Sequence, residues 1–330
     1  MDERRVFYLG RKRKLTIEND KMGDVSLEEA QSIIIKNKEI EGLSIETVRN
    51  YKKFFKHLGE FMKENEEKNV SELTEKDAKN FIHFLITKGL QNNTINSYIT
   101  NAKGAFKILD EEDICVHIFK NIKYLKEDEK AIIVLSLEEV QGILKSMDLS
   151  KYTEFRDYVM IHVLIDTFSR IGETLALKKQ DVDLENQTIT FNKTKSRKIR
   201  TVPISRKTAK LIRKLIKEVE EFNNDYIFQS WNGKPLENSG REVSTKMKEY
   251  AKRAGVNKRV YPHLFRHTAS AHFIKETGNI RVLQKILGHS DITVTQRYAH
   301  VLDSVVHDLH DKYSLINALE DSKKRKTKTD

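Results

Sequence analysis

The chain contains only three prolines in 330 residues, and this scarcity constrains its fold more than any other feature of the sequence. Proline lacks a backbone N–H and breaks the interior of a helix, so a long chain with few prolines favours helical structure. Hydrophobic residues make up 38% of the chain, enough for a packed core if helices carry them on one face. We therefore expect a mainly α protein. The three prolines are Pro203, Pro235 and Pro262.

Apolar spacing and capping residues predict four helices over residues 26–118. The predicted starts are Ser26, Ser44, Thr74 and about Asn93. Two of them match the capping-box pattern, in which an acidic side chain three residues later closes the box: Glu29 for the first helix and Asp77 for the third. Four such helices, each with one apolar stripe, are typical of a helical bundle.

The second half of the chain is predicted to be mostly helical with one β-hairpin. Ser136 with Glu139 marks its first helix. Thr188–Asn192 and Ile199–Ile204 are rich in β-forming residues and flank a basic loop. The predicted organisation is a basic extension at 1–25, a helical domain at 26–118, a charged linker at 119–135, a second domain at 136–320 and a basic tail at 321–330.

Charge composition points to a polyanionic partner. Lys and Arg total 60 against 49 Asp and Glu, a formal net charge of +11. Nucleic acid is the first candidate and an acidic membrane surface the second. The lone cysteine, Cys115, excludes an internal disulfide and a thiolate-rich zinc site, and it suits a reducing compartment. The longest apolar run, at 158–165, is too short to span a bilayer, so we expect an intracellular protein without membrane contact.

One short segment, HLFRH at residues 263–267, places histidines and an arginine on one helical face. Arg266 and His267 lie three and four residues after His263, and Pro262 suits the first position of a helix. The fixed charge of Arg266 disfavours a metal ion, whereas its planar fork matches two phosphate oxygens. The alternative is a solvated helix face without a ligand.

A second segment places an arginine directly after an apolar helix. Arg170 at such a junction is expected to be partly buried and to need a partner. Glu173, one turn later, is the structural candidate, and an anionic ligand supported by Glu173 is the alternative. Further along, His289 lies in a predicted tight turn and Tyr298 follows nine residues later. Each of these two is more often structural than catalytic when taken alone.

Together these residues occur in an order and spacing that resemble the tyrosine recombinases, the family of phage and transposon integrases and Xer-type enzymes. The resemblance covers roughly residues 26–318 and is strongest in three segments: TFSRIGETLAL, HLFRHTAS and LGHSDITVTQRYAH. A weaker likeness to the core-binding domain of that family lies at LSIETVRNY, which begins just before Ser44.

The resemblance implies a four-helix core-binding domain followed by a catalytic domain of the DNA breaking-rejoining type. It implies that Tyr298 is the nucleophile and Glu173 an accessory acid. It also implies that Lys195, in the loop of the β-hairpin, is a catalytic lysine. The loop also holds Lys193 and Lys198, either of which could replace Lys195 in that role. The remaining implied catalytic residues are Arg170, His263, Arg266 and His289.

The implied function is site-specific recombination through a 3′-phosphotyrosyl intermediate, without ATP, metal or cofactor. The implied partner is double-stranded DNA with specific recombination sites, bound by a homo-tetramer on synapsed DNA and by a monomer when free. Such an enzyme would be cytoplasmic and nucleoid-associated. Two alternatives are a type IB-like topoisomerase, which relaxes supercoils with little sequence choice, and a non-catalytic DNA-binding regulator. A regulator that only binds DNA would not need a tyrosine spaced to act together with two arginines, so the complete set of site residues argues against it.

Overall fold

A computed structural model describes residues 25–65, 68–127, 133–192 and 199–287, together with residues 310, 313 and 314. The chain divides into two compact units, Met1–Glu129 and Lys130–Asp330. Helices predominate among the described residues, and a small antiparallel sheet lies in the second unit. The predicted mainly α fold with a small sheet is confirmed. None of the described helices is long and apolar enough to cross a membrane.

The first unit contains four helices, and each begins close to its predicted position. They are α1 Leu27–Ile40, α2 Ile45–Asn65, α3 Glu75–Thr87 and α4 Asn92–Glu111. Ser26 caps α1 with Glu29, since each side chain accepts a hydrogen bond from the backbone N–H of the other residue. Thr74 and Asp77 do the same for α3. These caps satisfy donors that the helix itself leaves without partners.

The packed core of the first unit continues beyond residue 118, after which the sequence suggested a linker. Phe119 is fully buried and lies edge-on to Phe81, with ring centroids 6.2 Å apart, and Ile122 is buried beside it. Asn96 of α4 binds the segment after residue 118. Its side chain donates a hydrogen bond to the Leu125 carbonyl at 2.9 Å and accepts one from the Leu125 N–H at 2.8 Å. The charges of this segment are exposed, but Phe119 and Ile122 belong to the core and Leu125 packs against it.

The second unit combines helices with the small sheet. Its helices are α5 Leu137–Lys145, α6 Tyr152–Thr167, α7 Ile171–Leu175, α8 Arg206–Glu218, α9 Gly240–Arg253, α10 Pro262–Thr277 and α11 Ile280–Leu287. Its strands are β1 Val182–Asp183, β2 Thr188–Phe191 and β3 Arg200–Pro203, in the order β1-β2-β3. The predicted hairpin is β2 and β3. The sequence missed β1, since two residues are too few to show an alternating pattern.

Helix α6 forms the centre of the second unit and leads directly into the site described below. It packs against α8 and α10. A buried polar network fixes it to α9: Asp157 accepts hydrogen bonds from Arg156 at 2.7 and 2.9 Å and from the Tyr250 hydroxyl at 2.7 Å. Burial, with the charge of Asp157, raises the pKa of Tyr250 far above its usual value, so this tyrosine stays a hydrogen-bond donor.

Candidate active site

The turn between α6 and α7 is strained and held by hydroxyl groups. Phe168 adopts a left-handed conformation with φ of 52°, which is uncommon for an aromatic residue. Thr167 donates a hydrogen bond to the Ser169 hydroxyl at 2.9 Å, and Ser169 and Thr174 are hydrogen-bonded at 2.7 Å, all buried. Arg170 follows as the N-cap of α7. Strained turns that their surroundings hold in place cluster at functional sites.

The carboxylate of Glu173 lies at the centre of the site and binds two arginines. It accepts hydrogen bonds from the Arg170 backbone N–H at 2.9 Å and from Arg170 Nη1 at 3.0 Å. Arg200 adds two more, from Nη2 at 2.8 Å and Nη1 at 3.2 Å. Burial raises the pKa of Glu173, but the hydrogen bonds from Arg200 and from the Arg170 N–H outweigh it, so the pKa lies below its usual value. Glu173 is therefore a carboxylate at neutral pH.

Helix α10 carries the predicted histidine and arginine segment. Pro262 is in its first turn, as predicted. Arg266 is 5% exposed and donates through Nη1 to the carbonyl oxygen of Phe168, whereas His263 is exposed and His267 is half-buried. Because Phe168 lies two residues before Arg170, α10 and α7 bring both arginines to the same turn.

The structure therefore brings together Arg170, Glu173 and Arg266, and it places His263 on the same helix as Arg266. The predicted site residues Lys195, His289 and Tyr298 lie outside the described residues. The elements on either side of them are described: β2 and β3 flank the loop of Lys195, and α11 ends at Leu287, two residues before His289.

Arg200 is a further residue of the site that was not predicted from the sequence. The alternation of residues along β3 could have indicated it, because side chains two apart in a strand lie on the same face. Val202 is buried and lies on the same face of β3 as Arg200, whereas Thr201 and Pro203 are exposed. An arginine on the core-facing side of a strand needs a carboxylate partner, and Glu173 provides it.

The arrangement is suited to binding a phosphate group. Arg170 ends the turn to which the Arg266 guanidinium donates, and a planar guanidinium matches two oxygens of a phosphate. Within the described ranges, no group of three or more histidine, cysteine, aspartate or glutamate side chains could hold a metal ion.

Two domain families match the chain in the order expected from the sequence. Residues 29–117 match the Phage integrase SAM-like domain, and residues 134–304 match the Phage integrase family, which is more than half of the chain. The chain belongs to the phage integrase family. The resemblance drawn from its motifs is thereby confirmed.

Curated relatives of this integrase-family protein are tyrosine recombinases. It is 25% identical over 284 residues to Tyrosine recombinase XerC of Staphylococcus carnosus, covering 85% of this chain and 93% of the relative. It is 27% identical over 283 residues to Tyrosine recombinase XerD of Listeria monocytogenes, covering 82% and 93%. These relatives favour a recombinase over the topoisomerase and the regulator.

Solved structures show the same fold. The Tn1549 transposon integrase in complex with transposon right end DNA is similar to this integrase-family protein with a TM-score of 0.69 and 20% identity, covering 83% of this chain and 94% of that one. The XerH site-specific recombinase bound to a palindromic substrate gives a TM-score of 0.69 and 20% identity, covering 87% and 84%.

Proposed function

We propose that this protein is a site-specific DNA recombinase that cuts and rejoins DNA strands through a covalent bond to Tyr298. The observation that carries the proposal is the meeting of Arg170 and Arg266 at one turn, in a chain of the phage integrase family. Cations held in place at a phosphate are the main catalytic resource in phosphoryl transfer, because negative charge must be stabilised on its oxygens in the transition state.

The proposed first step is an exchange of one phosphate ester for another. The Tyr298 hydroxyl attacks the phosphorus, the bond from phosphorus to the 5′ oxygen breaks, and a 3′-phosphotyrosine forms. The tyrosine proton passes to His263, and the departing 5′ oxygen takes a proton from Lys195. Arg170 and Arg266 hold the non-bridging oxygens, and His289 donates a further hydrogen bond to them. Rejoining is the same step in reverse.

This scheme needs no ATP and no cofactor. The phosphotyrosyl ester conserves the energy of the broken phosphodiester, so a new 5′ hydroxyl can attack it and restore the DNA backbone. In the proposed role Glu173 does not touch the phosphate. It orients the Arg170 guanidinium, which it holds through Nη1.

A direct test is to map covalent attachment to DNA. The purified protein is incubated with a library of genomic fragments from around its gene, denatured in SDS and separated from free DNA. Fragments that remain attached to protein identify the cleavage positions. Attachment at a defined sequence is expected for a recombinase, attachment at many unrelated sequences for a topoisomerase, and none for a regulator.

We also propose that α8 contributes to the DNA-binding surface. Six of its 13 residues are exposed cations, and its one acid is Glu218 at the last position. Among the residues that the structure describes, no carboxylate forms a salt bridge with these six cations. They are Arg206, Lys207, Lys210, Arg213, Lys214 and Lys217. Such a face attracts a polyanion by releasing its counterions.

DNA binding is expected to weaken steeply with salt. If about eight phosphates are neutralised, the logarithm of the binding constant should fall with a slope of roughly −7 against the logarithm of salt concentration. Replacing Lys210 and Arg213 by glutamine should reduce that slope by about 2. Fluorescence anisotropy across a salt series measures both values.

The control for charge alone is a double variant of α9, Lys248→Gln with Lys252→Gln, which removes two exposed cations from another helix. An equal change of slope in both double variants would contradict a specific contribution of α8. A wild-type slope near −2 would mean that about two phosphates are neutralised.

We further propose a cyclic homo-tetramer on two synapsed DNA sites and a monomer in free solution, located in the cytoplasm with the nucleoid. Two duplexes with two cleavage positions each require four nucleophiles, one from each subunit. Mass measurement in solution, with and without DNA that carries the mapped site, distinguishes the monomer from the tetramer.

A further inference from the structure

Arg200 is the first residue of β3, and its side chain is nine-tenths buried. Both terminal nitrogens bind the Glu173 carboxylate, at 2.8 and 3.2 Å, in a two-point contact. The guanidinium also lies over the ring of Phe191, its partner residue in β2, at 4.7 Å. A planar group held at both its edge and its face has one defined position.

The contact joins two elements that are distant in the chain. Glu173 belongs to α7 and Arg200 follows 27 residues later in β3. The same carboxylate binds the backbone and side chain of Arg170. Arg170 and β3 are therefore held to one another through a single carboxylate.

Strands β2 and β3 flank the loop at 193–198, which contains Lys195, and the pair of Phe191 and Arg200 is the last one before that loop. Arg200 thus fixes the sheet next to the loop. The proposed reaction needs Arg170 on the phosphate and Lys195 at the departing oxygen at the same moment. Because the two residues come from different elements, their relative position depends on a contact between those elements, and a displacement of about 1 Å can cost 10²-fold in rate.

We propose that Arg200 is a positioning residue that aligns the hairpin carrying Lys195 with Arg170. The inference rests on the proposed function. One detail argues against a role in stability alone: the Nε–H of Arg200 is buried and has no hydrogen-bond acceptor among the described residues. A buried donor without a partner destabilises the fold and calls for a reason beyond packing.

The test uses two DNA substrates cut at the position mapped for the wild-type protein. One is ordinary DNA. The other carries sulfur in place of the 5′ bridging oxygen, so that the departing group is a thiolate. A thiol is far more acidic than an alcohol, with a pKa of about 8.5 in cysteine, so its departure needs no proton from Lys195. The sulfur substrate removes the need for a correctly placed acid and changes no arginine contact.

The variant is Arg200→Lys, which keeps the charge but cannot make the two-point contact. On ordinary DNA its cleavage rate should fall about tenfold, part of the 10²- to 10⁴-fold that a positioned acid contributes. On the sulfur substrate it should cut at close to the wild-type rate. Both rates are measured on one protein preparation, and their ratio is compared with that of the wild type. A reduced fraction of folded protein lowers both rates equally and leaves the ratio unchanged. Arg200→Gln provides a second variant read in the same way.

The matched control is Arg253→Lys. Arg253 also makes a two-point contact with a glutamate, Glu154, at 2.6 and 3.3 Å, and also lies over an aromatic ring, that of Tyr250. It is the last residue of α9 and joins that helix to α6, so its ratio of rates should equal that of the wild type.

Three outcomes overturn the inference: equal losses on both substrates, no loss on either, or the same change of ratio in Arg253→Lys. A wild-type protein that attaches covalently to neither DNA would overturn the proposed function instead, so the two failures are distinguishable.

Discussion

Tyr298→Phe is expected to abolish covalent attachment to DNA while DNA binding stays close to that of the wild type. The substitution removes the attacking oxygen and keeps the aromatic ring, so the packing contribution of the side chain is retained. Adduct formation on the mapped fragments, read after denaturation in SDS, should fall below detection. A gel shift of the same fragments should give an unchanged affinity.

Two described tyrosines serve for comparison. Tyr261 is the tyrosine nearest in sequence to the proposed base His263, and Tyr261→Phe should still form the adduct. Tyr152 is a poor candidate because burial raises its pKa to about 12 and its hydroxyl donates to the Gln229 carbonyl. An adduct that persists in Tyr298→Phe would overturn the assignment of the nucleophile.

The helix starts of both units could be predicted because capping is a local interaction. A box such as Ser136 with Glu139 spans three residues, so the sequence displays the whole interaction. The hairpin was visible for the same reason: two β-rich runs flank a short loop. The burial of Phe119 was hidden, since its contacts come from residues far away in the chain and the charged neighbours dominated the local composition.

The candidate site was predictable in its residue types and less so in its contacts. The pairing of Arg170 with Glu173 follows from helical spacing. By contrast, Arg266 reaches the Phe168 carbonyl across 98 residues, and Arg200 reaches Glu173 across 27. The left-handed conformation of Phe168 has no local signal, because an aromatic residue does not favour it. Tertiary packing determines these two contacts and the conformation of Phe168, and the periodicity of a sequence does not reveal tertiary packing.

Arg170→Lys is expected to reduce the rate of DNA cleavage by roughly 10²- to 10³-fold, equivalent to about 3–4 kcal/mol in the transition state. Lysine keeps the charge but cannot contact two phosphate oxygens in one plane. Glu173 contacts Arg170 through Nη1 and the backbone N–H, and a quarter of the arginine side chain, 26%, is exposed to solvent. Single-turnover cleavage of ordinary DNA measures the loss, and circular dichroism with thermal melting checks that the variant is folded.

The sulfur substrate separates this effect from that of Arg200. A better leaving group replaces a proton donor but not a contact with the non-bridging oxygens, so Arg170→Lys should remain impaired on both DNAs, whereas Arg200→Lys should recover on the sulfur DNA. Near-normal cleavage of ordinary DNA by a folded Arg170→Lys protein would instead assign Arg170 to the structural role of partner to Glu173. The role of Arg170 would then be to neutralise the buried Glu173 carboxylate, because a buried negative charge needs a cation beside it whether or not a phosphate binds.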